Sequence, residues 1–103
     1  MATPLTLNTE LGGDGKTRVV AAGEIDLSNI HMFKQALFDA SGDAGAPITI
    51  DLGAVKYLDS AGINALFDHA EAVEHLHVVV HPLLVRVLTV SGFCKIATIE
   101  AAS

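Results

Sequence analysis

The chain has little of several residue types that would signal a particular kind of protein. Its one cysteine, Cys94, excludes an internal disulfide and follows apolar residues, so we expect a small buried side chain there. Six basic residues against twelve acidic ones give a net charge of −6, too little positive charge to grip a nucleic-acid backbone. The apolar runs are strand-sized or broken by charges, so no segment is predicted to span a membrane. The first residues lack the basic flank and apolar stretch of a signal peptide, so we expect a soluble cytoplasmic protein.

Half of the 103 residues are apolar, which is enough for one hydrophobic core. A chain of this length forms one compact domain, so residues 1–103 are predicted to be a single domain. Its acidity is typical of a well-solvated protein and is also compatible with a partner that is basic at its docking face.

Strand-like segments occur at both ends and in the middle of the chain. Residues 5–11 alternate apolar and polar side chains, and residues 17–22 form a second β-prone run after a glycine-rich turn at 12–15. This pattern predicts an antiparallel hairpin. Further strands are predicted at 48–52 and 75–80, with a short last strand near 97–100.

Three amphipathic helices are predicted between these strands. The first follows Asp26 and Ser28, either of which can cap it, and a glycine-rich loop at 41–47 ends it. The second begins at Ser60, after a predicted loop at 53–58, and runs to about residue 73. The third begins at Pro82 and ends at a left-handed Gly92. Their apolar stripes are Ile30, Phe33, Leu37 and Ala40; Ile63, Leu66, Phe67 and Ala70; and Leu84, Val87, Leu88 and Ser91.

This order predicts an α/β fold with a mixed sheet of four to five strands, an opening antiparallel hairpin, and helices packed on the sheet. Strands separated by a helix should be parallel, with right-handed crossovers. Ligands and partners of such sheets meet the carboxyl ends of the strands. One loop carrying Glu24 and Asp26, and another carrying Asp59 and Ser60, are predicted to converge there.

Ser60 falls in the first turn of its predicted helix, where unpaired N–H groups and the helix dipole favour a phosphate. No glycine-rich cradle surrounds it, so a phosphate would arrive covalently on the hydroxyl. The serine could also be a plain first-turn residue. A Ser-His-Asp hydrolase is not indicated, because Leu58 and Gly62 occupy the flanking positions of the Gly-x-Ser-x-Gly elbow.

Five histidines raise the question of a metal site. His75 and His77 share one strand face, but no cysteine, second pair or nearby acid completes a ligand set. We therefore expect no metal. The third helix is unusually apolar, which indicates burial by default and a partner-binding patch as the alternative.

Three segments together resemble the STAS domain family, specifically its anti-sigma factor antagonists. Residues 23–27 (Gly-Glu-Ile-Asp-Leu) resemble the family's Gly-Glu-aliphatic-Asp segment. Residues 57–63 (Tyr-Leu-Asp-Ser-Ala-Gly-Ile) resemble its Asp-Ser-small-Gly-aliphatic phosphorylation motif, and residues 82–93 resemble its third helix and glycine cap. The resemblance covers nearly the whole chain in the expected order.

The resemblance implies a partner-switching regulator. The unphosphorylated protein would bind an anti-sigma factor, typically also a serine kinase, and so release the sigma factor. Phosphorylation of Ser60 would break that complex, and a phosphatase would restore it. ATP and Mg²⁺ would belong to the kinase, so this chain is expected to need no cofactor and to be no enzyme.

The expected partner-binding surface surrounds the Ser60 phosphoacceptor and consists of Glu24, Asp26, Asp59, Ala61, Gly62 and Asn64. Asp26 would cap the first helix, orient the hydroxyl or meet the partner. Asp59 would cap the second helix or border the acceptor as a recognition element.

Two features depart from the family pattern. Many relatives carry a second hydroxyl where this chain has Ala61, and the segment between the Ser60 helix and the fourth strand looks shorter than usual. Two alternatives therefore stay open. One is a phosphorylation-independent scaffold or sensor with the same fold, and the other is a nucleotide- or small-molecule-binding domain that uses the helix end as an anion site.

Overall fold

The computed structural model describes residues 4–12, 16–42, 47–73 and 75–102. This part of the chain forms a five-stranded sheet in the order β1-β2-β3-β4-β5. The first pair is antiparallel and the other pairs are parallel, which confirms the predicted mixed α/β sheet and its opening hairpin. The strands are β1 (Thr6–Leu11), β2 (Thr17–Ile25), β3 (Ile48–Leu58), β4 (Leu76–Val80) and β5 (Thr98–Ala101).

Helices connect the parallel strands and cover one face of the sheet. They are α1 (Ile30–Ser41), α2 (Ser60–Ala72) and α3 (Pro82–Val90), and a short 3₁₀ helix follows at Phe93–Lys95. Because β2 to β5 succeed one another in the same direction, right-handed crossovers place all three helices on the same side. The other face of the sheet carries the alternate, more polar side chains.

The core lies between this face of the sheet and the helices. Its fully buried members come from both layers: Val19, Ile25, Ile50, Leu52, Val78 and Val80 from the strands, and Phe33, Leu37, Leu66 and Leu88 from the helices. Phe93 is also fully buried, and its ring packs edge-on against that of Phe67 with ring centroids 5.2 Å apart. α3 packs through Leu84 and Leu88, whereas Val87 and Ser91, expected on the same face, are exposed.

β2 and β3 both extend beyond the segments that the sequence predicts. The prediction ended them at residues 22 and 52, yet β2 continues to Ile25 and β3 continues to Leu58. The loop predicted at 53–58 is therefore wrong. Two register shifts interrupt the pairing of these strands, and such bulges break the alternation on which a strand prediction depends. The pairing of β3 with β4 ends at Leu52, whereas β3 stays paired with β2 as far as Leu58.

The remaining boundaries agree closely with the sequence. Gly42 follows α1, and Gly92 adopts the predicted left-handed conformation after α3 with φ of +90°. Three predicted features lie wholly or mostly outside the described residues: the turn at 12–15, the loop at 41–47 and the burial of the Cys94 side chain. None of the described helices has the length and apolar character needed to cross a bilayer.

The burial of His69 on α2 should make the free energy of unfolding depend on pH. Its Nε2 atom is buried without a hydrogen-bond partner among the described residues, and burial lowers the pKa of His69 below its ordinary 6.5. The unfolded chain therefore binds more protons just below pH 6.5, so the free energy of unfolding should fall as the pH falls. Replacing His69 with Leu should reduce that fall. Urea unfolding of both proteins at about pH 7.5 and pH 5 measures it; an equal loss in the two would contradict the prediction.

Candidate functional site

The carboxyl ends of β2 and β3 lie side by side, and the chain leaves both strands at the same place. Ile25 and Leu58 are paired at the end of the two strands. The backbone N–H of Asp59 donates a hydrogen bond to the carbonyl oxygen of Ile25 at 3.3 Å. The loop that enters α1 and the residues that enter α2 therefore meet, as the sequence predicted.

Asp59 connects these two segments through its side chain. One carboxylate oxygen, Oδ1, accepts a hydrogen bond from the backbone N–H of Gly62 at 3.1 Å and so caps α2. The other, Oδ2, accepts from the backbone N–H of Leu27 at 3.2 Å. The predicted cap is confirmed. The second bond has no signature in the sequence, because Leu27 lies 32 residues away along the chain.

Ser60 is the first residue of α2, and it is exposed. Its position beside Asp59 places a hydroxyl group at the positive end of the helix dipole, within reach of another protein. Asn64, one turn further along, is also exposed. The first turns of α2 therefore present a polar surface that begins at the serine hydroxyl.

The loop before α1 is folded by its own side chains. Asp26 accepts hydrogen bonds from the backbone N–H of Ser28, at 2.9 Å, and from the Ser28 hydroxyl. The side chain of Asn29 accepts from the backbone N–H of Asp26 at 3.0 Å and donates to the carbonyl oxygen of Glu24 at 2.9 Å.

The prediction that Asp26 or Ser28 caps α1 is wrong. The capping position of α1 is Asn29, and the Asn29 side chain makes no hydrogen bond to the N–H groups of the first turn. Aspartate and asparagine side chains can bond to nearby backbone groups instead of capping a helix. Here the side chains of Asp26 and Asn29 bond to the backbone of the loop itself. Asp26 therefore holds the loop in shape instead of closing the helix.

The other expected partner residues lie in different environments. Glu24 belongs to β2, not to a loop, and is half-buried like Ala61. Gly62 is buried, and a Cβ added there would lie 2.3 Å from Leu58 Cδ1 and 3.1 Å from Ile25 Cγ2. Glycine thus lets α2 approach β3 closely, which gives Gly62 a packing role instead of a place on the surface.

The site is acidic in composition. Glu24, Asp26 and Asp59 belong to it, and segments 23–29 and 57–66 contain no lysine or arginine. Neither segment contains a histidine, the usual base that activates a serine nucleophile. The arrangement is suited to recognition of the serine by another protein.

Other titratable groups lie on the face of the sheet opposite the helices. His77 Nε2 is 3.3 Å from Glu100 Oε1, and Arg18 Nη2 is 2.9 Å from Asp51 Oδ2. The expectation that no acid lies near the strand histidines is therefore wrong for His77, because β5 brings Glu100 beside it. In the described part of the chain no three histidine, cysteine or acidic side chains are grouped to hold a metal.

The chain was compared with known families and solved structures. A family model described as Mlab, STAS domain matches residues 10–98. An anti-sigma factor antagonist from Mycobacterium paratuberculosis is 28% identical with a TM-score of 0.83, over 94% of this chain and 86% of that one. No curated protein matches the sequence.

Two structures of SpoIIAA share the fold. The unphosphorylated anti-sigma factor antagonist SpoIIAA is 15% identical with a TM-score of 0.70, over 95% of this chain and 89% of that one. The phosphorylated form of SpoIIAA, a Bacillus cell fate determinant, is 15% identical with a TM-score of 0.66, over 95% and 92%. The protein thus has the fold of anti-sigma factor antagonists, and the match over residues 10–98 shows that it belongs to the STAS domain family.

Proposed function

We propose that this domain is an anti-sigma factor antagonist that phosphorylation of Ser60 switches off. The unmodified domain binds an anti-sigma factor of the serine kinase type in the bacterial cytoplasm and so releases the sigma factor. Phosphorylation of Ser60 ends that complex, and a phosphatase restores the domain. The observation that carries the proposal is the exposed Ser60 hydroxyl at the tip of α2, beside the Asp59 that joins both site segments.

The domain itself tolerates a phosphate at this position. A phosphoserine adds roughly −1.5 to −2 charges at neutral pH. The N-terminus of α2 stabilises such a charge by about 0.3–1 kcal/mol when it is exposed. The modified domain therefore stays folded, and the phosphate acts on binding, not on the fold.

The partner opposes that phosphate. A kinase that phosphorylates Ser60 places its catalytic carboxylate and the nucleotide phosphates against the serine hydroxyl. These groups accept the hydroxyl but repel a phosphoserine in the same place. The domain supplies the acceptor, while ATP, Mg²⁺ and the catalytic base belong to the kinase, so the domain is a regulator and not an enzyme.

A phosphorylation-independent STAS scaffold is the second candidate. One observation favours it: the matching family model is described as Mlab and not as a regulator of sigma factors. A scaffold would use the same surface without any modification of Ser60. The two candidates differ in whether a kinase partner phosphorylates the serine.

Phosphorylation can be tested with the partner that the wild-type domain captures from its host cells. After incubation with that kinase and ATP, intact mass should show one phosphate on the wild type and none on Ser60→Ala. Ser91→Ala, which removes an exposed serine at the end of α3, is the matched control and should still gain one phosphate. A phosphate on Ser60→Ala would contradict the proposal, and a captured partner without kinase activity would favour the scaffold.

A further inference from the structure

Leu27 is an exposed apolar side chain in the loop before α1, one of the two segments that form the site. It is 74% exposed, although it lies between two polar residues that fold the loop before α1. Single exposed leucines are common on protein surfaces. This one differs because its backbone N–H is bound by the carboxylate of Asp59, the residue immediately before Ser60.

The loop holds Leu27 in one position before any partner arrives. Ser28 donates its backbone N–H to Asp26 at 2.9 Å, and Asp26 donates its own to Asn29 at 3.0 Å. Together with the bond from Leu27 to Asp59, these contacts fix the backbone on both sides of the leucine. With the backbone held, only the rotamers of the leucine side chain remain to be ordered on binding, which favours its use as an anchor.

We propose that Leu27 is the apolar anchor of the anti-sigma factor interface and that Asp59 is the positioning residue that holds it beside Ser60. This inference rests on the proposed function and deepens it. The occupant is the anti-sigma factor, because the anchor is continuous with the phosphoacceptor through the carboxylate of Asp59. The neighbouring carboxylate of Asp26 and the net charge of −6 fit an apolar pocket that basic side chains border.

Asp59 also connects the phosphate to the anchor. The N–H groups at the start of α2 attract anions, and both a phosphate on Ser60 and the carboxylate of Asp59 are anions. A phosphate on Ser60 therefore places its charge next to the residue that positions Leu27, so the phosphate and the anchor act on the same part of the partner.

The anchor is tested by truncating Leu27. Leu27→Ala should weaken binding of the captured anti-sigma factor kinase roughly 10–100-fold, the loss expected for a buried leucine side chain. Leu11→Ala is the matched control, because Leu11 is 77% exposed and lies on β1, and its affinity should stay within twofold of wild type. A Leu27→Ala variant that binds within twofold of wild type would overturn the anchor.

The role of Asp59 is tested without a partner. Asp59→Ser keeps a good capping residue for α2 but has one oxygen and too short a side chain to hold Leu27 as well. Hydrogen exchange of the Leu27 amide should become roughly tenfold faster in Asp59→Ser, while the Tm and the exchange within α2 stay near wild type. Unchanged exchange at Leu27 would overturn the positioning role.

The outcomes separate this inference from the proposed function. If Leu27→Ala weakens binding while Ser60→Asp binds as tightly as wild type, the anchor stands and the switch fails. If Ser60→Asp loses the partner while Leu27→Ala keeps it, the switch stands and the anchor fails. A wild-type domain that captures no anti-sigma factor overturns both, whereas the exchange of the Leu27 amide still decides the role of Asp59.

Discussion

Ser60→Asp is expected to weaken binding to the anti-sigma factor roughly 100-fold, whereas Ser60→Asn should bind nearly as tightly as wild type. Aspartate and asparagine have almost the same shape, so the pair separates charge from bulk. Both residues suit the start of a helix, so both variants should fold. The loss with Asp is then an electrostatic effect in the complex.

The magnitude follows from one added charge against one carboxylate. Two negative charges about 5 Å apart repel by about 3 kcal/mol at an effective dielectric of about 20. Each 1.4 kcal/mol is a factor of about ten in affinity, so one charge lowers it about 100-fold. A phosphate carries a larger charge and more bulk, so its loss should exceed that of the aspartate variant.

Titration calorimetry with the captured kinase measures these affinities, and raising the salt concentration adds a second readout. Because charge repulsion is screened by ions, the gap between Ser60→Asp and Ser60→Asn should narrow at high salt. Equal loss in both variants would assign the effect to bulk. Equal retention in both would remove Ser60 from the interface.

Gly23→Ala should lower the free energy of unfolding by about 3–5 kcal/mol. Gly23 has φ of +103°, which L side chains rarely adopt. An added Cβ would also lie 2.3 Å from the carbonyl oxygen of Pro4 and 3.0 Å from its carbonyl carbon. Both atoms are backbone, so no side chain can turn away to make room.

Gly42→Ala is the matched control for this prediction. Gly42 also has a positive φ, of +69°, but among the described residues no atom lies within 4 Å of an added Cβ. Alanine there meets the strain of that backbone conformation, with ψ of −178°, but no such contact, so the loss should be about 1–3 kcal/mol and smaller than at Gly23. Urea unfolding with unchanged m-values compares the two variants; equal losses would show that the contact with Pro4 does not matter.

The sequence predicted the order of elements correctly because each helix has its own apolar stripe and each inner strand its own apolar run. It ended β2 and β3 too early for an identifiable reason. The residues after Ala22 and Leu52 include glycines and lose strict alternation, which is typical of a loop. Pairing between the two strands supplies the hydrogen bonds that local preference does not, and two bulges absorb the irregular spacing.

The site was predictable in part. The place of Ser60 in the first turn of α2 and the cap by Asp59 follow from local patterns, and the meeting of the two segments follows from the parallel order of the strands. The choice of cap for α1 was not predictable, because Asp26, Ser28 and Asn29 are all good capping residues. The bond between Asp59 and Leu27 joins residues that only the tertiary fold brings together, so no local sequence pattern predicts it.

The extension of β2 and β3 has a consequence for steric access. The pairing of β3 with β4 ends at Leu52, and β3 then runs on to Leu58 beside β2 alone. At about 3.3 Å per residue, this two-stranded projection carries its tip roughly 15–20 Å beyond the last rung shared with β4. The serine thus lies away from β4 and β5, although the buried Val55 and Leu58 keep this end of β3 packed in the core. The proposed kinase partner can therefore reach Ser60 without meeting the β4 and β5 edge of the sheet.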